Sequence, residues 1–593
     1  MIPISRFAGA ITAALSLAAA GCTSILGGID FNGTGGSGGG AHTSSTSTTG
    51  TGGTTSTSST GGGGTGGGGA GGSGPCLYYV DHAATGTNDG SSWSDAFTTV
   101  QPALDAAGTR AAAGATGCEV WVAQGTYYVY ATGQGDTINL RDGVGLYGGF
   151  AGTETARSDA DPSAHPTILD GHASATGTSS VYHVVTSADV PSATIDGFTV
   201  QGGNASSTGN GSAGGGILIS CFSTHTTVTV SRCEVANNAA VYGAGISFSD
   251  MCSGLTGTVT DSFIHDNLAS QNGGGMGCGG TCTVTGTTFQ DNHAGVGGGL
   301  DTGGSLVTLT GDTFLGNVST SDGGGLYIQA YVAGSTLSDL IFRDNHAGGI
   351  GGALAGTAST SVTVTNGLFV GNAASAGGAI ADDSEQGFVC MSCTITGNHA
   401  LAGGGHAILW QSSNDAGAPR LYDTIVWGNP SMVSPSGDDI HPVSWTAVGA
   451  SHCDVSGYGG ADASTFDQDP LYKSTPAFFD HTSAVTTATN AVVVSAASAY
   501  AVGDLLEIGS DGAGRAVSAI DAASGTLTFS PALATPAPKG TQVRDWGAVA
   551  MLPTLDLHLL AASPCVGAGS SAFAPADNLD GDANPNPPDI GAY

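Results

Sequence analysis

The chain has 593 residues; 102 are Gly, only 10% are charged, and 11 Lys+Arg face 46 Asp+Glu for a net charge of −35. Nucleic acid and anionic membrane surfaces are both held mainly through Lys and Arg, so this balance excludes them as partners of the protein body. The 40% hydrophobic content still supports a long core, and the scarcity of Lys, Arg and Glu favours strands and turns over surface helices.

Residues 1–22 read as an export signal and stand outside the fold. Arg6 supplies the positive region, and Phe7 to Ala20 is apolar but too short to span a bilayer as a helix. The run Leu17-Ala18-Ala19-Ala20-Gly21-Cys22 resembles a bacterial lipobox. That resemblance implies a lipidated Cys22 as the mature N-terminus and a membrane partner through the lipid; plain secretion with cleavage near Ala20 is the alternative. Thr23 follows in place of the Asp that retains some lipoproteins at the inner membrane, which implies the outer membrane and display at the cell surface. Residues 23–75 are a tether, almost entirely Gly, Ser and Thr from 31 onward. Such a linker reaches about 35–40 Å as a flexible coil.

Twelve cysteines in an exported chain imply an oxidising compartment. Removing Cys22 leaves an odd number, so at least one does not pair within the chain. At Cys76 the texture changes to a strand, Leu77-Tyr78-Tyr79-Val80, a turn at 89–93, an amphipathic run at 96–113 and a second strand, Glu119-Val120-Trp121-Val122. A solenoid's first coil needs its edge covered, so 96–113 reads as an N-terminal helical cap, braced by Cys76 and Cys118.

A repeat dominates the next stretch. Gly-rich triplets end at 216, 245, 275, 299, 325, 353, 379 and 405, with steps of 24–30 residues. A second marker keeps the same period: Phe289, Phe314, Phe342 and Phe369 each precede an Asn by three positions. Val235, Ile264, Ile395 and Val426 stand in the same relation to Asn238, Asn267, Asn398 and Asn429. A coil of this length holds three short strands and three turns, and stacked coils pair their strands in parallel about 4.8 Å apart. The Phe position points inward, Gly-Gly permits tight corners, and Asn238, Asn267, Asn292, Asn317, Asn345, Asn372 and Asn398 form a hydrogen-bonded ladder. The expected fold is all-β: a right-handed parallel β-helix with a helical cap, spanning 76–475. Cys221 with Cys252 falls on adjacent coils, and Cys278/Cys282 and Cys390/Cys393 are local candidates for disulfides. Residues 476–547 read as a small inserted β-module and 548–593 as a closing segment.

The Gly triplets followed by Ile, Leu or Val, paired with FxxN, resemble the repeats of chlamydial polymorphic outer membrane proteins, over about 195–430. The ending Ser563-Pro564 through Asp577, Asp580-Gly581-Asp582 and Asp589-Ile590-Gly591-Ala592-Tyr593 resembles the choice-of-anchor Q terminus of bacterial β-helix proteins. These resemblances imply adhesion or surface display and no known reaction.

Chemistry-bearing clusters are few. Arg232, Arg343 and Arg420 are the only basic residues between 195 and 430, too sparse for a lyase base with supporting cations. Asp382-Asp383 is the one paired carboxylate there and reads as a solvated turn. His293, His346 and His399 follow ladder Asn residues two coils apart, about 10 Å, too far to share one zinc. Asp577, Asp580, Asp582 and Asn584 offer alternating oxygens for a structural calcium, although the closing bidentate Glu of such loops is missing, and an acidic turn fits as well. Trp410 and Trp427 are candidates for stacking on sugars or for packing. No catalytic residue is assigned. The expected role is a non-catalytic display or adhesion scaffold binding a glycan or a protein along its side; the alternatives are a polysaccharide lyase or hydrolase and a purely structural envelope protein.

Overall fold

The computed structural model describes residues 76–593 except 208–211, 224, 253, 330–331, 333, 357–361, 383–386, 402–406, 411–418, 430–439, 442–448, 458–459 and 461. Cys22, the tether, Asp383 and the Gly triplet ending at 405 lie outside the described residues.

The chain winds as a right-handed parallel β-helix. An 11-stranded parallel sheet runs from Ile138–Asn139 to Ile440–His441, and an 8-stranded sheet from Asn204–Ala205 to His399–Ala400. A 23-stranded sheet carries two strand rows per coil. Most coils therefore hold four short strands, one more than the period suggests. The cause is a corner inside the large sheet, where one residue per coil takes a left-handed conformation. Gly197, Arg232, Asp261, Gly286, Gly311 and their successors down to His452 sit there at φ of 48–79°. A strand bends at such a residue, and Gly, Asp and Asn adopt it at least cost.

Burial follows the period of two along each strand. In Thr226–Ser231 the residues Val228 and Val230 point in, and in the next coil Leu255 and Val259 continue the same core. At the marker position Phe289, Phe314, Phe342 and Phe369 stack with ring centroids 4.8–5.0 Å apart and planes within 9° of parallel. Below the stack Ile395 and Val426 take the same register.

Each ladder Asn satisfies backbone groups of two coils at once. Asn317 Nδ2 donates to Phe289 O at 2.8 Å and to Asn345 Oδ1 at 2.9 Å, while its Oδ1 accepts from the Asn292 N–H and Nδ2 at 3.1 and 3.0 Å. The same pattern links Asn238, Asn267, Asn292, Asn317, Asn345, Asn372, Asn398 and Asn429. The Gly triplets close the opposite corner. Gly297 has φ +63°, and a Cβ on Gly298 would lie 2.7 Å from Val318 O. Buried alanine replaces Gly at the second position as Ala244 and at the third as Ala353 and Ala379.

The helix Val100–Ala112 lays Val100, Ala103, Leu104 and Ala107 against the first coils. Disulfides join Cys76–Cys118, Cys221–Cys252, Cys278–Cys282 and Cys390–Cys393, and buried Cys233, Cys453 and Cys565 form none. Six antiparallel strands between Phe478 and Asp545 close into a barrel around Val492, Leu506, Leu527 and Val543. Tyr472–Ser474 and Asp556–Leu559 pair on either side of it, and the remaining chain returns along the solenoid wall.

Candidate functional site

The strand row that carries the Phe stack inward has an outer face, and that face changes character halfway along the solenoid. Its first outward column runs Thr199, Glu234, Phe263, Thr288, Thr313 and then Ile341, Leu368, Thr394, Ile425. Its second column runs from Gln201, Ala236, His265 and Gln290 to Val370, Thr396 and Trp427. The lower residues are outward yet buried: Leu368, Val370, Thr394, Thr396 and Ile425 are at most 3% exposed. Phe479 of the barrel, Leu557 and Tyr593 pack on Leu368 and Val370, and Ile590 and Cys565 pack on Ile425.

Polar anchors fix this cover. Arg544, 3% exposed, reaches Glu507 Oε2 at 3.0 Å within the barrel and Asp344 Oδ2 at 3.3 Å on the solenoid. Ser510 also donates to Asp344. Burial raises the Asp344 carboxyl, with Arg544 opposing. Asp423 accepts the Ser570 N–H at 2.8 Å, and Thr394 Oγ1 accepts the Ala592 N–H at 3.1 Å.

The upper half stays open. Two adjoining clefts of about 570 and 630 Å³ share Arg232. The first crosses five successive strands of this row, from Thr167 to Thr288, about 19 Å at the spacing of paired strands. Arg157, from the short helical turn Arg157–Asp159, donates to Glu119 Oε1 at 2.8 Å and to Tyr147 Oη at 3.1 Å and lies 4.8 Å from that tyrosine's ring centre. Trp121 Nε1 holds the other Glu119 oxygen at 2.7 Å. Arg232 and Ser231 both donate to Asp196 on the preceding coil. Glu234 accepts from Thr199 Oγ1 and His265 Nε2 at 3.0 Å each, and His265 Nδ1 meets Asp266 Oδ2 at 2.7 Å. Those hydrogen bonds hold the imidazole above its ordinary pKa and Glu234 below the usual carboxylate range. Phe263, 37% exposed, stacks on His265 with centroids 4.1 Å apart. The groove thus offers hydrogen-bonding groups fixed by ion pairs, beside an aromatic face.

Of the residues singled out from sequence, only Arg232 lies here. Its partner Arg157 was missed because it falls before residue 195 and enters the wall from a loop. The outward alternation of charged and aromatic residues at Glu119, Tyr147, Asp196, Glu234 and His265 was the available signal. His293 is exposed, whereas His346 and His399 lie under the barrel: His346 against Gly540, and His399 with its ring 5.0 Å from that of buried His481. Trp410 is 5% exposed and Trp427 packs beside Cys565 and Ile590, so neither presents a sugar platform. Asp382 is 3% exposed, a buried strand residue and not the solvated turn that Asp382-Asp383 suggests. In the terminal loop Asn578 Oδ1 accepts the Asp580 and Asp582 N–H groups, Asp580 turns to His558 Nε2 at 2.5 Å, and Asn584 Nδ2 donates to Pro575 O. Asp577 pairs by a backbone bridge with Ala583. Among the described residues no three His, Cys, Asp or Glu side chains converge as a metal site.

No family model matches the chain, nor does any curated protein. Among solved structures it is similar to pectate lyase Pel9A, at 13% identity and a TM-score of 0.41 over 87% of this chain and 96% of that one. It is also similar to the A-module of mannuronan C-5 epimerase AlgE6 of Azotobacter vinelandii, at 19% identity and a TM-score of 0.34 over 66% of this chain and 96% of that one. A rhamnogalacturonan lyase aligns at 13% identity and a TM-score of 0.27 over 67% of this chain and 90% of that one.

Proposed function

We propose that the chain is a surface-displayed scaffold that binds an extended glycan along the open half of its outer wall and does not cleave it. The observation that carries this reading is the division of that wall: its lower half, mostly apolar, is covered by the barrel and the terminal segment, and its polar upper half is left open as two adjoining clefts joined at Arg232. A linear groove crossing successive coils suits an extended polymer better than a compact small molecule. Its principal charged groups are paired with one another. Both guanidinia are tied to carboxylates, and His265 sits between two. A general acid is best served by a carboxyl with a raised pKa, and the two groove carboxyls with shifted pKa, Glu234 and Asp161, are both shifted down by hydrogen bonds. The lipobox-like ending at Cys22 and the 23–75 tether support anchoring to the outer membrane, with the solenoid held away from it. Incubating the full chain on a glycan array, then sizing any bound polysaccharide by chromatography, tests the reading. Retention with unchanged polymer length is expected; shortened or unsaturated product would overturn the non-catalytic role.

A further inference from the structure

Three features of the open wall bear on what kind of glycan it takes. First, the groove lining holds five carboxylates, Asp161, Glu119, Asp196, Glu234 and Asp261, against two guanidinia. Second, below the second cleft the same strand row continues as a plane of hydroxyls. Thr229, Thr258, Thr283 and Thr308 stand in register in one outward column, and Thr260, Thr285 and Thr310 in the next. These seven threonines carry no charge, in a chain whose net charge is −35; the same columns reach Glu119 and Asp196 only at the groove above. A threonine hydroxyl donates once and accepts twice, so such a plane matches neutral hydroxyls in either sense. Third, Arg232 occupies the left-handed corner at φ 48°, where the other coils place Gly, Asp, Asn, Ser or His. A long side chain at such a φ is disfavoured, and strain of this kind clusters at ligand clamps. Arg232 lies between the two clefts, fixed by Asp196 from the coil above, with its side chain still 44% exposed.

We infer that the ligand is an uncharged polysaccharide, that the acid-rich groove rejects uronate polymers, and that Arg232 is the residue that anchors the neutral chain. This rests on the glycan-binding reading above and narrows it. Excess negative charge in a cleft lowers the local concentration of anionic ligands. The arginine fork, already oriented by Asp196, presents its remaining N–H groups to sugar oxygens.

Native affinity electrophoresis of the full chain tests this, in gels containing a neutral glucan, a neutral galactomannan, polygalacturonate or alginate. Retardation by a neutral polymer is expected, weakened at least tenfold in Arg232→Asn. Asn is the residue that holds the same corner at Asn366. The variant's thermal midpoint should equal or exceed that of the unaltered chain, because the strained corner is relieved; equal retardation of the two proteins would remove Arg232 as the anchor. Retardation only by polygalacturonate or alginate would overturn the neutral-ligand inference while leaving glycan binding standing. Retardation by none of the four would overturn the glycan-binding reading itself.

Discussion

Asp312 is the sharpest internal test of how this solenoid is held together. It follows the left-handed Gly311, at the level where the coil before carries Thr287 and the coil after Leu340, with Ser262 and Thr424 at the same level further along. Its Oδ1 accepts the Thr287 N–H at 2.8 Å and its Oδ2 the Thr310 N–H at 3.1 Å. The residue is fully buried, and that burial pushes its carboxyl up to about 7 against both hydrogen bonds. The rise from the ordinary value of 3.8 is about 3 units, or about 4 kcal/mol at 1.36 kcal/mol per unit. The folded pKa lies above the unfolded one, so the contribution is fully present below about pH 4 and is lost as pH rises through about 7. Asp312→Thr removes the titration. Its hydroxyl takes the role that Thr424 plays beneath Cys393, accepting that N–H and donating to Tyr422 O at 2.8 Å. One bond to the Thr310 N–H is given up, about 1 kcal/mol. The variant should therefore gain about 3 kcal/mol at pH 8 and lose about 1 kcal/mol at pH 4, read from paired urea denaturations. A difference from the unaltered chain that is the same at both pH values would refute the reasoning.

Three further outcomes follow from named contacts. Asn317→Ala takes the side-chain acceptor from the Asn292 N–H and the side-chain donor from Phe289 O, while Asn292 Nδ2 keeps Ile264 O and Asn345 Oδ1 keeps the backbone N–H of residue 317, and it should cost about 2–4 kcal/mol in the same denaturation assay. Arg544→Met leaves Asp344 and Glu507 buried without their cation, a loss of about 3–5 kcal/mol. It should raise amide exchange in Gln542–Asp545 ahead of the Asn ladder, and a uniform rise would argue against a local docking role. Cys22→Ala should abolish incorporation of labelled palmitate and release the protein from the membrane fraction; continued labelling would dismiss the anchor.

The solenoid was legible because its physics repeats. A Phe every 25–28 residues and an Asn three positions later recur only if equivalent side chains stack, and chain order then equals spatial order. The extra strand per coil was less visible, because its marker is a backbone state. Gly286, Asp261 and Arg232 share one left-handed corner but little chemistry. The groove was least legible. Glu119, Tyr147, Asp196, Arg232 and Glu234 come from different coils, and Arg157 reaches them from a loop outside the repeat. Which half of the wall stays open depends on where Phe479 and Tyr593 land, more than a hundred residues after the strands they cover. Even so, the outward column turns apolar at Ile341, and an exposed apolar stripe on a solenoid announces a cover.

The central claim is binding without cleavage along the open wall. Titration calorimetry of the full chain with a polysaccharide it retains, followed by end-group analysis of the recovered polymer, tests it most directly. The account expects a saturable heat that Arg232→Asn reduces, and a polymer with no new reducing or unsaturated ends. New ends that accumulate with time and protein concentration would contradict it.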